Sequence, residues 1–188
     1  MTKRILVTGS HGFIGAVLVP MLQQLGHEVS GLDVDYYRDA GIGESLPSIP
    51  MVDVDLRDVG TSDLQGFDAV MHLAALSNDP LGNLDSQLTY DINHLASVKL
   101  AKAAKSAGVK RFLFSSSCSM YGAAGDELLT ESAAFNPITP YGESKVLADR
   151  EISELADQNF SPSFLRNATA YGFSPRLRMD LVVNDFVA

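Results

Sequence analysis

Tyr141 and Lys145 lie four residues apart in the stretch PYGESK, residues 140–145. On a helix that spacing puts both side chains on one face. A phenol beside a fixed ammonium ionises more readily, because the positive charge favours the phenolate. A tyrosine left near its ordinary pKa of about 10 is a poor base at neutral pH, so a tyrosine base needs the lysine. Ser117 closes the run Ser115, Ser116, Ser117 and adds a hydroxyl that can hydrogen-bond a substrate oxygen. Together these groups suit one reaction. The phenolate takes a proton from an alcohol, and hydride leaves the same carbon for a nicotinamide whose ribose Lys145 also holds. The pattern Y-x-x-x-K alone occurs in many helices, and serine runs are often loops. The reading therefore depends on a dinucleotide site elsewhere in the chain.

Such a site is written in VTGSHGFIG. Gly9, Gly12 and Gly15 are spaced three apart, a variant of the G-x-G-x-x-G fingerprint. One glycine permits a tight turn, one lets backbone approach a pyrophosphate, and one lets helix pack on strand. Phe13 and Ile14 complete the helix start, whose free N–H groups suit phosphate. No Gly-Lys-Ser/Thr follows, which excludes a Walker A loop, and a methyltransferase turn would carry a tighter G-x-G. Asp33 ends the second apolar run 18 residues after Gly15. A carboxylate there accepts ribose hydroxyls and repels a 2′-phosphate, so NAD is expected over NADP. Arg38 is the counterweight, since a nearby arginine can accept that phosphate.

The elements that must position these groups alternate along the chain. Strands are expected at Arg4–Thr8, Glu28–Leu32, Met51–Val54, Ala69–Leu73, Arg111–Ser115 and Ser163–Arg166. Helices are expected at Phe13–Leu25, Leu84–Ala107 and Tyr141–Asp157. Near-continuous apolar strands separated by helices indicate an α/β fold: a Rossmann-like, doubly wound parallel sheet of about six strands. Ligands then sit at the carboxyl ends of the strands, where Ser117 and the glycine turn both fall. Pro20 lies inside the first helix and should bend it near Ala16. The apolar face of that helix is read as Ile14, Leu18, Met21, Leu22 and Leu25. The long helix carries one stripe at Leu88, Ile92, Leu95 and Val98, and a second at Ala96, Leu100, Ala103 and Ala107. Two apolar faces suggest sheet packing on one and a partner helix on the other.

Composition narrows the partners. Of the 188 residues 46% are apolar and 20% charged, and the formal charge is −9 with no Lys/Arg run. A nucleic-acid or anionic membrane partner is not expected. One cysteine, Cys118, suits a reducing compartment, and no internal disulfide is possible. MTKRILV begins like a signal peptide, but Gly9 and Gly12 interrupt the run, so a cytoplasmic protein is expected. His11, His27, His72 and His94 lack ligand-like spacing, and no metal site is expected. Cys118 reads as a buried small hydrophobe in preference to a reactive thiol. Asn78 and Asp79 read equally as substrate contacts or a turn, and Arg176 and Arg178 as a solvated pair in preference to a diphosphate site.

TGSHGFIG, DVDLRD, HLAA, SSSCSMYG, PYGESK and LRNATAYG, in that order, resemble the extended short-chain dehydrogenase/reductase family. More narrowly they are similar to its NAD-dependent nucleotide-sugar epimerases and dehydratases. The resemblance implies that Asp55 and Leu56 flank the adenine, that Leu73, Ala74 and Ala75 line the cofactor, and that Asn93 reaches the cofactor region. Without it, a solvated Asp55, core alanines and an Asn93 bonded only to a loop are the plainer readings. Sugar 4,6-dehydratases of the family carry an Asp-Glu pair just after the position of Ser117. Here Cys118 and Ser119 stand there, so epimerisation or simple alcohol/ketone redox fits better than elimination. Family members run to roughly 300 residues or more, with a carboxyl-terminal lobe closing over the nucleotide sugar. The expected division is therefore a dinucleotide-binding domain at 1–170 and, at 171–188, the start of a substrate lobe largely missing. Either the chain is a fragment or it covers its last helix by association. The resemblance also implies a homodimer through the 84–107 and 141–157 helices. The function expected is Tyr–Lys–Ser assisted hydride transfer at a nucleotide-sugar hydroxyl. The alternatives are an NAD-binding module without turnover and a short reductase of small carbonyls or alcohols.

Overall fold

The computed structural model describes residues 1–36, 39, 41, 46, 48–77, 84–123 and 128–187. Arg38, Asn78 and Asp79, weighed above, lie outside them. Five strands form one parallel sheet: β1 (Arg4–Thr8), β2 (Glu28–Leu32), β3 (Ala69–His72), β4 (Arg111–Ser117) and β5 (Ser161–Asn167), in the order β2-β1-β3-β4-β5. The fold is Rossmann-like: from β1 the chain passes to β2 on one side, then crosses back to β3 on the other and winds outward to β5. The expected strand at Met51–Val54 is reduced to one bridge, between Gly31 and Met51. The ladder stops there because the Val54 N–H turns back to the Val52 carbonyl, a three-residue turn that bends the chain away. Pro162 sits within β5, which is tolerated because β5 is an edge strand.

Alternation along the strands builds two cores. Ile5 and Val7 of β1 join Val29 and the helix α1 (Gly15–Gln24) on one face. Leu6, Val70, Phe112 and Phe114 point to the other face, against the long helical run and α4 (Pro140–Ser153). The long run is continuous but not uniform. It comprises α2 (Ser86–Tyr90), a π-helical stretch Asp91–Ala96, and α3 (Ser97–Ser106). Its small-residue stripe meets the sheet: Ala96, Leu100 and Ala103 are buried, whereas Leu88 and Leu95 remain exposed. The helix α4 and a short α5 (Val182–Val187) are the remaining α-helices among the described residues, beside 3-10 turns at Thr61–Leu64 and Cys118–Tyr121. None of these is long and apolar enough to cross a membrane.

α1 continues through Pro20, but its buried face is not the one expected from periodicity. Gly15, Ala16, Val19 and Leu22 are buried, while Ile14, Met21 and Leu25 are exposed. The glycine turn sets this rotation. A Cβ at Gly15 would stand 2.1 Å from the Gly9 carbonyl oxygen, so the helix can be pressed against the turn at that residue only because it is glycine.

Candidate active site

The groups nominated from sequence converge on a cleft of about 770 Å³ along the carboxyl edge of the sheet. Gly9, Gly12, Phe13, Ile14 and Gly15 form its floor beyond β1. Gly9 adopts φ +70°, a left-handed conformation that favours glycine, and a Cβ there would approach the Ala74 nitrogen to 2.8 Å. Gly12 is different. A Cβ at Gly12 would meet only the Gly9 carbonyl oxygen, at 3.3 Å, so its missing side chain leaves the cleft open above the helix start. The first bond of α1 runs from the Ala16 N–H to the Gly12 carbonyl, and the N–H groups just ahead of it are the unspent donors of a helix start.

Asp33 lies on the same cleft beyond β2. Its Oδ2 accepts the His11 N–H at 2.9 Å and its Oδ1 the Asp35 N–H at 2.8 Å. These bonds orient the carboxylate and leave each oxygen a further lone pair. Asp55 and Leu56 also line the cleft, and the partly exposed Asp55 side chain is paired. Arg57 donates Nε–H and Nη2–H to its two oxygens at 2.9 and 2.8 Å, and this side-chain pairing holds its pKa down to about 2. Leu73, Ala74 and Ala75 line the cleft beyond β3.

Asn93 does not reach the cleft. It is fully buried; its Oδ1 accepts the Leu76 N–H at 2.8 Å and its Nδ2–H donates to the Leu76 carbonyl at 2.9 Å. This arrangement fits the plainer reading of an asparagine bonded to a loop, and it meets the cleft through Leu76. Asn93, within the π-helical stretch, clamps the backbone of a residue that lines the cleft.

Ser117, Tyr141 and Lys145 meet at the other end. Thr139 caps α4 by accepting the Gly142 N–H at 3.1 Å, and Pro140 opens its first turn. A Cβ at Gly142 would stand 2.8 Å from the Ser119 carbonyl, so this glycine lets the start of α4 press against the turn after β4. That contact brings Tyr141 beside the serine run. Ser117 Oγ accepts the Ser119 N–H at 3.2 Å and donates to Ser119 Oγ at 3.1 Å, an acceptor that an incoming oxygen can replace.

Lys145 is buried, and burial lowers its pKa from 10.5 to about 8, so it remains charged at neutral pH. Its ammonium donates to the Ser115 carbonyl at 2.8 Å. It lies 4.7 Å from the Phe114 ring centroid and 5.8 Å from that of Tyr141. The cation is thus fixed beside the phenol by a backbone bond and an aromatic face.

A neighbouring network escaped the sequence reading. Thr8 Oγ1 accepts the N–H groups of Leu73 and Ala74, both at 3.2 Å, which uses both its lone pairs. Its one hydrogen therefore goes to His72 Nδ1 at 2.6 Å, and His72 must carry its ring proton on Nε2, donating to Ser97 Oγ at 2.7 Å. Burial, with the Lys145 charge adding to it, lowers the His72 pKa to about 3, so the ring stays neutral. Sequence could nominate His72 only for a metal; its hydrogen-bond partners come from two other elements, β1 and α3.

Two further readings are corrected. Cys118 is exposed and lines the cleft, because β4 ends at Ser117 and the chain turns outward there. Arg176 and Arg178 are not a solvated pair. Both line the cleft and bond across it, Arg176 to the His11 carbonyl and Asp35, Arg178 to Ser77, while Arg178 also pairs with the adjacent Asp180. Among the described residues no cluster of metal-ligating side chains occurs.

Comparison with known proteins bears on what this cleft holds. Residues 5–188 match the model of the NAD dependent epimerase/dehydratase family. The chain belongs to this family. A UDP-glucose 4-epimerase of Streptomyces lividans is 32% identical over 157 residues, covering 81% of this chain and 47% of that protein. Among solved structures, MoeE5 in complex with UDP-glucose and NAD superposes with a TM-score of 0.80 at 31% identity, covering 98% of this chain and 60% of that one. The dTDP-glucose 4,6-dehydratase DesIV of Streptomyces venezuelae, with NAD bound, gives a TM-score of 0.84 at 29% identity, covering 98% and 61%. The chain spans about half the length of the curated relatives it matches. Family membership accounts for the common cleft, and the cradle fits a dinucleotide. An open glycine at the helix start, an oriented acid beyond β2 and a cleft within the usual 300–1,000 Å³ of ligand sites are all present.

Proposed function

We propose that this chain binds NAD and carries the catalytic groups of a nucleotide-sugar epimerase or oxidoreductase. The observation that carries the reading is the placement of a buried, charged Lys145 5.8 Å from the Tyr141 ring at the end of a glycine-floored cleft. NAD bound here supplies a nicotinamide able to accept hydride from a carbinol carbon. Gly12 and the helix start take the pyrophosphate, and Asp33 takes the adenosine ribose, favouring NAD over NADP. Leu56 packs on the adenine, with Asp55 tied to Arg57 beside it. Leu73, Ala74 and Ala75 form the wall along the cofactor.

Tyr141 is the base that removes the proton of the substrate hydroxyl. Lys145 favours its phenolate, and the neutral His72 adds no competing cation. Ser117 donates a hydrogen bond to the substrate oxygen, releasing Ser119 as its acceptor. The oxygen is then held by Ser117 and Tyr141 together while its carbon becomes trigonal. Return of hydride to the opposite face of the ketone, with the proton from Tyr141, would give the epimer; departure of the ketone would give simple oxidation. Cys118 and Ser119 cannot serve as the acid and base of elimination, which disfavours dehydration by that route.

Two further readings go with this one. Residues 1–170 act as the dinucleotide-binding part, and 171–188 begin the part that meets the sugar. The exposed Leu88 and Leu95 suit a homodimer through the 84–107 and 141–157 helices.

The deciding experiment is a turnover screen against UDP-, GDP- and dTDP-sugars and small carbonyls, with Tyr141→Phe in parallel. The variant should lose about 100-fold or more in turnover while still binding NADH like the parent in a cofactor-fluorescence titration. Equal activity in the two proteins overturns the assigned base. NADH binding with no turnover on any substrate would make the chain a binding module.

A further inference from the structure

Arg176 and Arg178 stand two residues apart on the segment after β5, and each reaches a different wall of the cleft. Arg176 donates its Nε–H to the His11 carbonyl at 3.2 Å, in the glycine turn, and places Nη2 3.3 Å from Asp35 Oδ1, beyond β2. The side chains of this pair are only 12% and 11% exposed. Just upstream, Ser174 Oγ donates to the Phe13 carbonyl at 2.8 Å and accepts the Arg176 N–H at 3.2 Å. Arg178 donates to Ser77 Oγ at 3.0 Å, beyond β3, and pairs with Asp180.

Sheet order gives these bonds their meaning. β5 is one edge and β2 the other. Four inter-strand steps of about 4.8 Å separate them, roughly 19 Å. The nine residues from Asn167 to Arg176 can span at most about 30 Å. A segment leaving β5 that places a side chain on the residue beyond β2 must therefore cross most of the carboxyl edge of the sheet. It does so as a wall of the cleft, for Ala168, Thr169, Leu177 and Met179 all line it.

We propose that residues 167–180 form a strap across the dinucleotide groove, fastened by Arg176 and Arg178, and that unfastening it controls how fast the cofactor enters and leaves. The proposal rests on the reading of this cleft as an NAD site. The fastening is coupled to the ribose acid. Asp33 holds the N–H groups of His11 and Asp35, the same two residues that Arg176 grips. The acid that would seat the ribose and the anchors of the strap are thus tied to the same two residues. The Arg176–Asp35 pair is nearly buried, so opening separates two charges in a place where each needs its partner, and opening is slow. Arg176 and Arg178 are positioning residues in this scheme: they hold the strap.

The test is stopped-flow release of NADH from the full chain, chased with excess NAD, with association measured separately. Arg176→Met, Arg178→Met and the milder Ser77→Ala should each speed both release and association, about 10-fold or more for the arginines. Their equilibrium affinities should change less, because a gate acts on both rates. Arg176→Lys, which keeps the charge but not the fork, should restore part of the slow release. Parental rates in folded variants overturn the strap while leaving the NAD site intact; faster release with unchanged association also overturns it, since that marks a lost contact and no gate. If the parent binds no NADH at all, the dinucleotide reading fails first and the strap with it.

Discussion

At the scale of single residues, the proposed chemistry depends on keeping one buried ammonium charged. Burial drags the Lys145 pKa from 10.5 to about 8, so below pH 8 the folded protein bears the cost of a desolvated charge. Between pH 8 and 10.5 the unfolded chain binds the proton and the folded chain does not, so stability rises with pH across that window. Lys145→Met keeps the stem and removes the charge. It should be more stable than the parent by on the order of 2 to 3 kcal/mol at pH 7, an advantage that fades above pH 8 and is gone near 10.5. The same variant should have almost no turnover. Chemical denaturation at pH 7 and pH 10 measures the first, and a substrate assay the second. A variant less stable than the parent at pH 7 would show that the bond to Ser115 and the stacking on Phe114 outweigh desolvation. Stability given up for a working charge is a common pattern at active sites.

Elements owe their mutual positions to glycines used for contact. Gly15 and Gly12 lie three residues apart yet answer to different demands. A Cβ at Gly15 would stand 2.1 Å from the Gly9 carbonyl oxygen and 2.8 Å from Ser10 backbone atoms, none of which can yield cheaply. Gly15→Ala should therefore lower stability by about 1–3 kcal/mol or more, seen as a fall in Tm. At Gly12 the nearest atom is 3.3 Å away and the cleft is open beyond it. Gly12→Ala should melt close to the parent but bind NADH weakly in a fluorescence titration. If the two effects exchange, with Gly15→Ala stable and Gly12→Ala unfolded, the division of labour between packing and cofactor access is wrong. Gly142 does for α4 what Gly15 does for α1: it brings a helix start against a turn and sets Tyr141 beside Ser117.

For the molecule as a whole, the open question is what covers its unspent apolar surface. On the long helix Leu88 and Leu95 are 37% and 54% exposed, and near the carboxyl terminus Phe173 and Phe186 are 78% and 82% exposed. A dimer through the long helix and α4 should appear in sedimentation at micromolar concentration, and Leu95→Glu should return it to a monomer with its fold intact. A monomeric parent refutes the dimer. The amino-acid sequence by itself determined the strand and helix order, the glycine floor, the acid beyond β2 and the Tyr–Lys pair, because each rests on local spacing or on the period of one element. Only the tertiary structure decided which face of α1 is buried, that the stretch after Pro50 makes one bridge and no strand, that Asn93 clamps Leu76, and that Cys118 faces the cleft. The same holds for the Thr8–His72–Ser97 network and for the grip of Arg176 on Asp35, whose partners lie up to 141 positions apart along the chain. Such contacts leave no periodic trace. They exist only once the sheet has set which strand ends are neighbours.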